Sequence, residues 1–70
     1  MLTEKQILTQ KNMTDANEPI ARIIYEQIFA RDGRYCGWNS AVYKAPEQPE
    51  GFAFYLSFAV ANEIQKTLKK

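Results

Sequence analysis

Apolar positions are spread unevenly along the chain, and one stretch dominates: Gly51-Phe52-Ala53-Phe54-Tyr55-Leu56-Ser57-Phe58-Ala59-Val60. Two periodicities compete within it. At a period of two, Phe52, Phe54, Leu56, Phe58 and Val60 share one face and Ala53, Tyr55, Ser57 and Ala59 the other, the alternation of a strand. At a helical period, Leu56, Val60, Ile64 and Leu68 line up at i, i+4, but Phe52, Tyr55 and Phe58 then fall among Glu63, Lys66 and Lys69, which would expose three aromatics. A hybrid satisfies both patterns: a strand over 52–56, Ser57 as a helix N-cap, and a helix to about Lys69.

The rest of the chain divides more clearly. Leu2-Thr3-Glu4-Lys5-Gln6-Ile7 carries a helix-start signature: Thr3 can cap the amide three residues on, Gln6 can return the bond, and Leu2 can staple onto Ile7. That helix is expected to run to about Asn12, and with few apolar anchors residues 1–16 read as a loosely docked helix and linker. Asn17 caps the next helix, with Pro19 in its first turn. There Ile20, Ile23, Ile24 and Ile28 set a wide apolar arc, Glu18, Arg22 and Glu26 a narrow charged ridge, and Tyr25 and Phe29 an aromatic edge beside it. Gly33 suits the left-handed position that ends such a helix, and Arg31 in its last turn complements the helix dipole.

Trp38 and Ala41-Val42-Tyr43-Lys44 have strand propensity, so a strand is expected over about 38–44. The segment 45–51, with two prolines and a glycine, reads as the loop closing a hairpin between Val42 and Phe54. Two strands alone are marginal, so the hairpin must lie on the helices. The expected fold is α+β, one small domain of 70 residues in the order α-α-β-β-α with an antiparallel hairpin packed on helices. The alternative is all-α, three helices with residues 50–69 as one continuous helix.

Charge changes this picture little. Nine Lys/Arg against eight Asp/Glu leave +1, with no field of one sign. The single cysteine, Cys36, rules out an internal disulfide and suits a reducing compartment. No signal-peptide pattern opens the chain, and an apolar run of ten residues is too short to span a bilayer. A cytoplasmic protein without a membrane partner is expected.

Candidate chemistry is sparse. The chain has no histidine, which removes the commonest general base and zinc ligand, and leaves Cys36, Ser40 and Ser57 without their usual activating partner. Glycines 33, 37 and 51 match no phosphate-binding template. No catalytic residue, metal ligand or cofactor is expected, and the chain is read as not an enzyme.

The suggestive stretch is Arg31-Asp32-Gly33-Arg34-Tyr35-Cys36-Gly37-Trp38-Asn39. Trp, Tyr and Arg are the favoured anchors of protein interfaces; the same residues also fill cores. Arg31, Arg34, Tyr35 and Trp38, with Tyr25 and Phe29 on the preceding helix, are the candidate partner-binding residues. The expected function is a small non-enzymatic protein-binding factor acting on a surface of a larger partner, an inhibitor or adaptor of the kind phages and other mobile elements encode. The alternatives are a nucleic-acid-binding module using Arg31, Arg34, Lys44 and the C-terminal lysines, and a structural homodimer joined through the aromatic run.

Overall fold

A computed structural model describes residues 2–31 and 33–69. These form four α-helical segments: α1 (Glu4–Ile7), α2 (Glu18–Ile24, prolonged by a π-helical turn over Tyr25–Phe29), α3 (Trp38–Ala41) and α4 (Pro49–Leu68), with a 3-10 turn at Gln10–Asn12. Asp32, within the Arg/aromatic stretch, and Lys70, counted among the C-terminal lysines, lie outside the described residues.

The α+β expectation is overturned. The structure is 64% helical, and no strand occurs among the described residues. Residues 49–68 run as one unbroken helix. Ser57 does not cap it; its hydroxyl donates to the Ala53 carbonyl 2.8 Å away, in the middle of the helix. The reason lies in how α4 is covered. Gly51, Ala53, Phe54, Ser57, Phe58, Ala59 and Ala61 are all buried, and at 3.6 residues per turn these positions cover about two-thirds of the helix circumference. α1, the 3-10 turn, α2 and α3 each pack against α4. A helix buried on so many sides has no narrow apolar stripe, and its dense aromatic run imitates the alternation of a strand. Phe58, placed on a polar face by the helical reading, is 4% exposed.

The strand expected over 38–44 is likewise replaced. Gly37 stands at the N-cap of the single turn α3, which sets the Trp38 ring against Phe54, Phe58 and Tyr25 at centroid distances of 4.5, 5.6 and 5.8 Å. Val42 and Tyr43 are left 51% and 88% exposed. Their strand propensity has no neighbouring strand to pair with, and such propensity is largely a measure of packing on a sheet.

α2 runs antiparallel to α4. Asn17 at its start donates through Nδ2 to Asn62 Oδ1 at 3.3 Å, while Phe29 at its end shares a groove with Ala53 and Leu56. Alanines mark this pair: Ala21 on α2 and Ala53 and Ala61 on α4 are at most 2% exposed, and small side chains let two helix backbones approach. Asn17 sits at the N-cap as expected, yet its side chain makes no capping bond. Its amide also donates to the Asn12 carbonyl at 2.8 Å, and Asn12 in turn donates to the Gln6 carbonyl at 2.9 Å. Buried asparagines thus satisfy the loop backbone and tie the first 16 residues to α4. The capping box forms as read: Thr3 Oγ1 accepts from the Gln6 amide at 3.2 Å, and the Thr3 amide donates to Gln6 Oε1 at 2.8 Å. α1 nonetheless ends at Ile7, well before Asn12.

Candidate protein-docking surface

The last turn of α2 brings the aromatic segment together. There the Ala30 amide donates to the Tyr25 carbonyl at 2.9 Å, a bond spanning five residues. In an α-helix residue i+4 lies about 40° beyond residue i; the wider turn lessens that offset, so Phe29 follows Tyr25 along one side, with centroids 6.3 Å apart. Gly33, with φ of 79°, then reverses the chain in a conformation that costs glycine little. Tyr35 returns to Phe29 at 6.2 Å.

The six candidate residues part company here. Tyr25 is fully buried. Its hydroxyl donates to the Cys36 carbonyl at 2.6 Å and lies 3.8 Å from Cys36 Sγ. Burial, helped by the side-chain hydrogen bond with the Cys36 thiol and by that group's charge, pushes the phenol well above its ordinary value. Trp38 is half-buried and stacked into the core. Both hold the fold. Phe29 and Tyr35 are also half-buried, but they line an open groove of about 390 Å³ with Pro46, Glu47, Gln48, Pro49, Phe52, Ala53 and Leu56. Arg31 and Arg34 are exposed on the segment joining Phe29 to Tyr35.

Sequence reasoning missed the other wall of this groove. The sequence expectation places Pro46 and Pro49 in a loop and Phe52 and Leu56 on a buried strand face, whereas in the structure Phe52 is 36% exposed. The helical reading of 51–60 held the signal, since it turned Phe52 outward.

The basic residues do not converge. Arg31 and Arg34 follow α2, whose end lies beside the start of α4, whereas Lys66 and Lys69 stand at the other end of α4. Lys44, whose carbonyl lies against Gly51 at the start of α4, stands at the Arg31/Arg34 end; a 20-residue helix is about 30 Å long, so among the described residues these three are separated from Lys66 and Lys69 by most of the length of α4. Among the described residues, no group of three His, Cys, Asp or Glu could hold a metal ion, and no helix is long and apolar enough to cross a membrane. Comparison with protein-family models, curated proteins and solved structures finds no match.

Proposed function

We propose that this chain is a small non-enzymatic protein-binding factor that acts by occupying a surface of a larger partner. The observation carrying this reading is the open aromatic groove between the end of α2 and the start of α4, with Phe29, Tyr35 and Phe52 in its walls and Arg31 and Arg34 beside it. Aromatic residues next to arginine, set around a concavity, suit the capture of an apolar side chain from a partner. On this reading the chain works in the cytoplasm, where Cys36 stays a free thiol.

The test is site-specific photo-crosslinking in the native host. A crosslinker at Phe52 should give a discrete adduct, and one at Glu26, on the charged ridge of α2, should not. Arg34→Ala or Tyr35→Ala should weaken that capture by about 2 kcal/mol or more while helix content is unchanged. Equal adducts from both positions, or none from Phe52, would remove the reading.

A further inference from the structure

A polar pocket of about 320 Å³ lies between the N-terminal segment and the second half of α4, towards the end opposite the aromatic groove. That volume is at the small end of the roughly 300–1,000 Å³ of small-molecule sites. Leu2 and the buried Ala59 supply its apolar wall, and the rest is amide, hydroxyl and charge. Hydrogen bonds within the fold fix which end of each amide is left for a ligand. Gln6 Oε1 accepts from the Thr3 amide at 2.8 Å, the return bond of the capping box. Asn62 Oδ1 accepts from Asn17 Nδ2 at 3.3 Å. With both oxygens engaged, each side chain keeps its NH2 group, and among the described residues no acceptor takes up either one. Thr9 Oγ1 accepts from the Lys11 amide at 3.4 Å, which leaves its hydroxyl proton to donate.

Lys11 and Lys66 stand in the same lining. The carboxylate there, Glu63, lies 3.8 Å from Lys66, and Lys11 has no acidic partner among the described residues. The other acceptor left in the lining is Asn12 Oδ1, since Asn12 Nδ2 donates to the Gln6 carbonyl. With two lysines against one glutamate, the pocket is rich in donors, poor in acceptors and net positive.

We infer that this pocket binds a small oxyanion, a phosphate or a carboxylate carried on a short apolar body that rests against Leu2 and Ala59. Converging N–H and O–H donors beside two ammonium groups replace the water such an anion gives up, and hydrogen bonds to a charged acceptor are roughly twice as strong as neutral ones. A cation would meet the lysines, and an uncharged apolar ligand would strand the donors. The pocket shares no residue with the aromatic groove, so this inference does not depend on the proposed function.

An NMR titration of the isotope-labelled full chain at neutral pH tests it, with sodium phosphate and, separately, sodium hexanoate, each to about 50 mM against sodium chloride at matched ionic strength. The expected result is a saturable shift of the Gln6 and Asn62 side-chain NH2 resonances with phosphate or hexanoate and none with chloride; whichever salt saturates at the lower concentration tells whether the ligand carries phosphate or carboxylate. Gln6→Glu and Asn62→Asp keep the oxygen that serves Thr3 or Asn17 and replace the donor end by a carboxylate oxygen. Each should raise the half-saturation concentration at least about tenfold with helix content unchanged. If either variant loses helix content, Lys11→Ala, at an exposed side chain, carries the comparison with a rise of about threefold or more. Shifts no different from those in chloride with both salts, or binding indifferent to these substitutions, would overturn the inference. Crosslinking from Phe52 reports separately on the larger partner, so either idea can fail without the other.

Discussion

Replacing Gly51 with alanine tests the seat of α4 with a change of sign. In a solvated helix interior this substitution stabilises by about 1 kcal/mol, because alanine restricts the unfolded chain and favours the helix. Gly51, however, is buried in the first turn of α4, where a Cβ would overlap the backbone carbonyl of Ala45, with the Lys44 carbonyl oxygen at 3.0 Å. These are backbone atoms and cannot rotate away. The Ala45 carbonyl also accepts the Gln48 amide at 3.0 Å, just ahead of the first helical bond, from the Phe52 amide to the Gln48 carbonyl at 2.8 Å. Room for a methyl therefore requires the 44–48 segment to move. Overpacking of this kind costs about 1–3 kcal/mol, and weakening the Gln48 bond adds about 1. Against the propensity gain, the net loss is about 1–3 kcal/mol, a large share of the ~3–5 kcal/mol that a core of this size supplies. Urea denaturation followed by circular dichroism at 222 nm measures it. Gly37→Ala is the comparison, since nothing lies within 4 Å of a Cβ there; its loss should stay below about 1 kcal/mol, the worth of the N-cap preference. A Gly51→Ala protein as stable as the parent, or more so, would refute the close contact between α4 and the loop.

The remaining predictions address the core. Trp38→Ala should cost about 3–5 kcal/mol and abolish or nearly abolish folding by circular dichroism, because the ring packs on Phe54, Phe58 and Tyr25; a well-folded variant that merely lost partner capture would return Trp38 to the docking surface. Ser57→Ala should change stability by no more than about 0.5 kcal/mol, since its hydroxyl only doubles a bond within α4, whereas a loss of ~1 kcal/mol or more would be the mark of an N-cap. Tyr25 sets an alkaline limit. With its folded pKa raised above the ordinary 10.0, its contribution is constant below about pH 10; above that the unfolded chain releases the proton first, and stability falls by up to ~1.4 kcal/mol per pH unit. Tyr25→Phe should remove that part of the decline in denaturation curves taken between pH 9 and 11.5, and an unchanged slope would count against the buried phenol.

Legibility followed the range of the interactions. The Thr3/Gln6 capping box, the helix start at Asn17 and Pro19, and the left-handed backbone of Gly33 are local and could be read before any fold was known. α2 nonetheless ends at Phe29 with Ala30 as its cap, so Arg31 and Gly33 lie beyond the helix end instead of in its last turn and at its terminating position. The aromatic groove was half legible. Phe29 and Tyr35 stood out by composition, but Phe52, Pro46 and Pro49 joined them only once α2 and α4 had packed. Tyr25 and Trp38 looked no different from their neighbours in the chain, and their burial depends on where α3 delivers the indole.

By itself the sequence determined a small apolar core, near-neutral charge, the absence of histidine chemistry, and the ends of its well-capped helix starts. Only the tertiary structure decided that residues 49–68 are one helix, that Ser57 lies inside it, and that Trp38 starts a helical turn in place of a strand. The physical reason is burial geometry. A periodicity identifies an element when one face is buried and the other wet, and α4 is enclosed on about two-thirds of its circumference by α1, the 3-10 turn, α2 and α3. Its polar and apolar positions therefore ceased to mark a single face, and the choice between strand and helix passed to contacts made by residues far away in the chain.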